Sequence, residues 1–170
     1  MNRHELEHLI RASGAITEEY EFVVIGSQSI LGKIPYPDPE FKMSAEADIY
    51  PRYAPELAEK IEGVLGVHLA NGFYAQGVGP ETAVLPQGWE ERLWKVQNGN
   101  TDSFIGWCLD VEDLFMSKAA AARPKDQEFC TGLLRRGYVT LERCLELAPS
   151  MPLEPPEIAR LVARIKRWAK

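Results

Sequence analysis

Glu46 and Asp48, with the Gly26-Ser27 pair upstream, are the groups in this chain best spaced to do chemistry. The run Glu21-Phe22-Val23-Val24-Ile25 breaks at Gly26-Ser27 into Gln28-Ser29-Ile30-Leu31-Gly32, a pattern that reads as strand, tight turn and helix. Such a turn leaves backbone N–H groups free to hold phosphate. Residues 46 to 50 read as the next strand, and with a side-chain period of two Glu46 and Asp48 leave the same face. Two carboxylates beside a phosphate cradle predict a site for Mg²⁺ (or Mn²⁺) and a nucleotide.

A second group of chemical residues lies downstream. Lys118 falls on a helix expected to begin at Asp110, and Asp126 falls at the start of the next helix, with Pro124 between the two. Arg123 and Lys125 add positive charge suited to phosphates. The same residues also suit a solvated helix surface and an acidic helix N-terminus favoured by the dipole, and both readings are open at this stage.

Taken in order, these residues resemble the nucleotidyltransferase superfamily that includes polymerase β and the bacterial toxin-type nucleotidyltransferases, in which Gly-Ser precedes an acidic-x-acidic strand. The stretch Leu109-Asp110-Val111-Glu112-Asp113-Leu114-Phe115-Met116-Ser117-Lys118, followed by Arg123-Pro124-Lys125-Asp126-Gln127-Glu128-Phe129, is similar to a block of the small bacterial nucleotidyltransferase-like proteins that are themselves similar to abortive-infection toxins. Residues 76 to 82 and 85 to 93 fit the same group, so the resemblance covers roughly residues 20 to 137.

The resemblance implies an enzyme that moves a nucleoside monophosphate from a nucleoside triphosphate to an RNA, protein or small-molecule acceptor. It implies that Gly26 and Ser27 hold the β and γ phosphates, that Glu46 and Asp48 bind Mg²⁺, and that Lys118, aided by Lys125, meets the triphosphate. It gives Asp126 a part in catalysis. Two departures stand out. Glu46 is present where the wider superfamily usually has Asp, and no later strand carries a third carboxylate: Phe73-Tyr74-Ala75-Gln76-Gly77-Val78 has none, and Phe104-Ile105-Gly106-Trp107-Cys108-Leu109 has none before Asp110. Asp126 is therefore the candidate third acid. The rival function is a catalytically inactive nucleotide-binding or interaction protein, such as a toxin-antitoxin component.

The elements that must position these groups follow from pattern. With 170 residues, the chain is expected to form an α/β (α+β) fold, and the resemblance implies a nucleotidyltransferase-type mixed sheet in residues 1–109 with a helical C-terminal part in residues 110–170. Leu6, Leu9 and Ile10 predict an N-terminal helix stopping at Gly14. The three prolines of 35 to 39 predict a loop, and Pro55 opens a helix carrying Leu57, Ala58, Ile61 and Leu65. Residues 67 to 109 read as two or three strands. Helices are expected after Asp110, over 125 to 137, over 141 to 147 and after Pro156, where Ile158, Leu161, Val162, Ile165 and Trp168 form an apolar stripe.

Composition narrows the classes. A net charge of −6 opposes non-specific coating of nucleic acid, and no run of about 18 apolar residues is present to span a membrane. Three cysteines without C-x-x-C spacing fit reduced thiols in the cytoplasm. The amphipathic terminal helices are candidate contacts for a homodimer or an antitoxin partner. His4-Glu5-Leu6-Glu7-His8 matches the spacing of a zinc-protease helix, but without a third ligand or a shielding cleft it reads as surface. Gly77-Val78-Gly79 lacks the third glycine of a dinucleotide fingerprint and reads as a turn.

Overall fold

A computed structural model describes residues 1–62 and 71–170. Leu65, His68 and the first residues of the stretch expected to form strands from 67 onward lie outside them. Contact density divides the chain into two compact units. A sheet unit holds Met1–Thr82 and Leu93–Asp110, and a helical unit holds Ala83–Arg92 and Val111–Lys170.

In the sheet unit the described elements are α1 (Arg3–Thr17), β1 (Glu21–Ile25), α2 (Ile30–Lys33), β2 (Glu46–Pro51), α3 (Ala58–Glu62), β3 (Tyr74–Gly77), β4 (Trp94–Val96) and β5 (Ile105–Cys108). The five strands form one mixed sheet in the order β3-β2-β1-β5-β4. β1 runs antiparallel to β2 and parallel to β5, β2 runs parallel to β3, and β4 closes the far edge antiparallel to β5.

One face of this sheet packs on α1, α2 and α3, with small residues permitting close approach. A Cβ on Gly106 would strike Ile10, one on Gly32 would strike the Cys108 side chain, and one on Gly77 would strike the Ala58 carbonyl. Leu6, Leu9, Ile10, Phe22, Val24, Ile30, Leu31, Ile49 and Ile61 fill the core between these elements. Burying each such side chain stabilises by about 1.5–3 kcal/mol relative to exposure.

α1 starts at a capping box, in which the Glu5 N–H donates to Asn2 Oδ1 (2.8 Å) and the Asn2 N–H donates to Glu5 Oε2 (2.7 Å). It does not stop at Gly14. The helix continues to Thr17 and ends at Glu18, whose φ is 60° and whose N–H donates to the Gly14 carbonyl. Gly14 is placed for packing: a Cβ there would lie 2.5 Å from the Phe104 ring. The proline loop also departs from expectation, because Pro39–Phe41 forms a single 3₁₀ turn with Pro39 in its first position.

The helical unit contains α4 (Val111–Ala121), α5 (Pro124–Arg135), α6 (Leu141–Leu147) and α7 (Pro155–Trp168). Leu161 and Ile165 of α7 are buried, and Ile158, Val162 and Trp168 are half-buried beside them. Arg164 leaves the basic face of α7 to donate to the Ala119 carbonyl at 2.7 Å. Segment 83–92 is tied to this unit by the Gln87 N–H donating to the Ser150 carbonyl (3.1 Å) and by Arg92, which forms a two-pronged pair with buried Asp113 at 2.7 and 2.9 Å.

Cys108, Cys130 and Cys144 are buried free thiols. Burial pushes all three up, Cys108 and Cys144 to about 12, so none is a ready nucleophile. No helix among the described residues is long and apolar enough to cross a membrane.

Candidate active site

The β1 turn and β2 meet at one end of the sheet. Gly26 has φ 73°, a conformation glycine adopts without steric cost, and it hands the chain to a 3₁₀ turn, Ser27–Ser29, that leads into α2. In the register of β1 with β2, Ile25 is opposite Asp48. The Asp48 carboxylate consequently lies directly over Gly26, where a Cβ would collide with Asp48 Oδ2. Sequence places these residues 22 positions apart and the sheet brings them into contact.

Within the turn, buried Gln28 donates through Nε2 to Ser27 Oγ and to the Phe41 carbonyl, both at 3.1 Å. The Ser27 oxygen thus accepts a bond, which leaves its proton to be donated elsewhere. Ser29 closes the turn by donating through Oγ to the Gly26 carbonyl at 2.8 Å. As at any helix start, the first N–H groups have no partner inside the turn. A half-buried hydroxyl and two backbone donors beside a carboxylate can cradle phosphate next to a cation.

Glu46 and Asp48 are both half-buried on the sheet face opposite α1 to α3. β3 supplies the groups that face them from the next strand, with Tyr74 opposite Glu46 and Gln76 opposite Asp48. Tyr74 Oη donates to Glu46 Oε2 at 2.7 Å. Gln76, with its amide nitrogen turned toward the carboxylate, donates to Glu46 Oε1 at 2.5 Å. The hydrogen bond from Tyr74 to Glu46, then burial and the charges of Glu46 and Asp48, raises the pKa of the Tyr74 phenol. Tyr74 and Gln76 are the residues the sequence reading passed over. The only signal available was the absence of an acid in 73 to 78.

Asp110 follows β5 at the edge of the same unit. It accepts from Trp94 Nε1 at 2.7 Å and pairs with Lys33 Nζ at 3.1 Å. Among the described residues, no three or more His, Cys, Asp and Glu side chains are grouped to hold a metal ion. The donor set at Glu46 and Asp48 is therefore a carboxylate pair. That set suits Mg²⁺ held by one or two carboxylates together with phosphate oxygens and water.

The other residues expected to act lie in the helical unit. The Asp126 side chain is inaccessible to solvent, and both its oxygens are occupied. Arg123 Nε donates to Oδ2 at 2.6 Å and Arg123 Nη2 to Oδ1 at 3.2 Å, Lys118 Nζ lies 3.1 Å from Oδ1, and the Arg123 backbone N–H caps the helix on Oδ2 at 3.2 Å. Burial pushes the Asp126 carboxyl up, but the Arg123 hydrogen bonds and the charge and hydrogen bond of Lys118 outweigh it and hold it below the usual aspartate value. Lys118 also lies 4.7 Å from the Phe129 ring centroid. Lys125 is exposed.

The His4 and His8 pair is engaged elsewhere. His4 contacts Asn100, while His8 contacts Arg11 and stacks edge-on against Phe73 with centroids 5.8 Å apart. Glu7, between them, accepts from Asn98 Nδ2 at 2.7 Å.

A five-stranded mixed sheet with a Gly-Ser turn leaning on an acidic-x-acidic strand defines a protein of the nucleotidyltransferase class. The chain belongs to the family described as "Nucleotidyltransferase of unknown function (DUF6036)", whose family model matches residues 4–137. Searches of curated proteins and of solved structures returned no match.

Proposed function

We propose that this chain is a Mg²⁺-dependent nucleotidyltransferase that moves a nucleoside monophosphate from a nucleoside triphosphate to an RNA, protein or small-molecule acceptor. The single observation that carries the reading, within a nucleotidyltransferase family, is the Asp48 carboxylate seated on Gly26. That contact puts a metal-binding group against a phosphate-binding turn. Gly26 and Ser27 hold the β and γ phosphates through backbone N–H groups and the Ser27 hydroxyl, and Glu46 and Asp48 hold the cation. When bound, Mg²⁺ supplies charge neutralisation on the phosphoryl oxygens and the departing pyrophosphate. The acceptor oxygen bonds to the α phosphorus as the α–β bridging bond breaks, pyrophosphate leaves with the electron pair, and the acceptor proton passes to solvent or to a carboxylate.

Tyr74 and Gln76 hold Glu46 in place through neutral donors, so no cation of the chain is needed to aim it. Lys118, Lys125 and Asp126 enter the proposal as residues of the helical unit, the lysines carrying positive charge for phosphate and Asp126 fixing Lys118 and Arg123. We place the protein in the cytoplasm, where unpaired thiols stay reduced.

A second reading has its own support. The β3 positions facing the carboxylate pair hold Tyr74 and Gln76 and not an acid, which favours nucleotide binding without transfer, as in a regulatory or toxin-antitoxin component. Incubation of the protein with α-labelled nucleoside triphosphates, Mg²⁺ and total RNA separates the two. Label transfer with pyrophosphate release, absent in Asp48→Ala, is the result expected of the enzyme. Triphosphate binding with neither label transfer to any acceptor nor pyrophosphate release would overturn transfer in favour of the second reading.

A further inference from the structure

The sheet face that carries Glu46 and Asp48 also carries a cluster that the nucleotide site does not use. Registered residues share a face, so the pairings Asp48 with Ile25, Tyr50 with Val23, Val23 with Trp107 and Trp107 with Lys95 place Trp107 and Lys95 on the carboxylate side. Arg52, two residues beyond Tyr50, continues that side past the end of β2. Its guanidinium carbon lies 5.2 Å from the Trp107 ring centroid and 5.4 Å from that of Tyr53, within cation–π range of both rings. Lys95 Nζ is 6.0 Å from the Trp107 centroid. Glu21 accepts from Trp107 Nε1 at 3.2 Å and fixes the indole.

This arrangement is unusual for a core and unnecessary for a surface. Tyr53 is 72% exposed, Lys95 is exposed, and among the described residues no carboxylate pairs with Arg52 or Lys95. In a chain of net charge −6 such cations would readily find acids, yet these two lie against rings. Two aromatic rings with unpaired cations form a combination that takes stacked bases with their phosphates. Strand spacing puts the Asp48 and Trp107 Cα atoms roughly 12 Å apart across the same face.

We propose that Arg52, Tyr53, Lys95 and Trp107 form a subsite for a single-stranded nucleic acid, which is the acceptor of the transfer reaction. The acceptor role rests on the proposed function, whereas the binding does not. Fluorescence anisotropy of a labelled 12-nucleotide mixed-sequence RNA, the matching DNA, and labelled polyglutamate is measured in EDTA without nucleotide, so triphosphate or metal failure leaves the readout unaffected. The variants are Arg52→Gln/Lys95→Gln and, separately, Tyr53→Ala, each checked for folding by circular dichroism.

The wild-type chain is expected to bind a single strand, with the double variant weaker by about tenfold or more and its salt slope reduced by about 1.4 for two lost phosphate contacts. Tyr53→Ala should weaken binding severalfold with the salt slope kept. RNA bound in preference to DNA, or both bound alike, supports the subsite and identifies the strand. Absence of strand binding by wild type, polyglutamate binding equal to RNA, or full affinity in both variants would overturn it.

Discussion

Two pairs of carboxylates, one in each unit of this protein, are held in opposite ways. In the helical unit, Asp113 and Asp126 are fully buried and each is held by an arginine, Asp113 by Arg92 and Asp126 by Arg123 with Lys118. In the sheet unit, Glu46 and Asp48 are half-buried, and the groups that position Glu46 are a phenol and an amide. A carboxylate surrounded by fixed cations has its charge spent on structure. A carboxylate held by neutral donors keeps its charge for a ligand. Asp113 and Asp126 are thereby tied into the structure, and Glu46 and Asp48 are the pair we propose for chemistry, although all four look alike as acids in a sequence.

The sharpest way to break the comparison is to remove a clamped acid. Asp126→Ala leaves Lys118 and Arg123 without their common partner and should cost about 3–5 kcal/mol in chemical denaturation. A loss below about 1 kcal/mol would put Asp126 in the same category as Glu46 and Asp48. Gly26→Ala comes next, because it imposes a left-handed φ on a residue with a Cβ and drives that Cβ into Asp48. It should destabilise by about 1–3 kcal/mol in chemical denaturation and abolish triphosphate binding measured by calorimetric titration.

Acid sharpens the difference further. The Asp126 pKa is depressed in the folded chain, so its contribution is present above the unfolded value of 3.8 and is lost as pH falls through the folded value. Urea denaturation across pH 2 to 6, a range set by ordinary carboxylate titration at about pH 4, should show wild type losing stability toward acid more steeply than Asp126→Asn. Equal slopes would remove Asp126 from the clamped class. The smallest effect belongs to Tyr74→Phe, which deletes one neutral donor to Glu46. Metal-dependent nucleotide affinity should fall by about 0.5–1.5 kcal/mol, with the thermal midpoint nearly unchanged.

Local elements were legible in the sequence because their signals are local. The β1 turn, the β2 strand and the helices at 141–147 and after Pro124 follow from glycine, proline and apolar spacing. What escaped depends on chain segments far apart. Tyr74 faces Glu46 only because β3 pairs parallel to β2 in one register, and Arg92 finds Asp113 across 21 positions. Gly14 has the sequence signature of a helix stop, yet it serves to admit the Phe104 ring, a demand that no neighbour in sequence announces. Glu46 and Asp48 could be nominated from their spacing, but that Asp48 touches Gly26 is a fact of strand pairing.

The central claim is that Glu46, Asp48 and the Gly26-Ser27 turn form one nucleotide and metal site. Calorimetric titration of the four ribonucleoside triphosphates with Mg²⁺ into wild type and Glu46→Ala/Asp48→Ala tests it most directly, with both proteins first shown to be folded. Wild type is expected to bind at least one triphosphate and the double variant none. Equal binding by both proteins, or none by folded wild type, would contradict it.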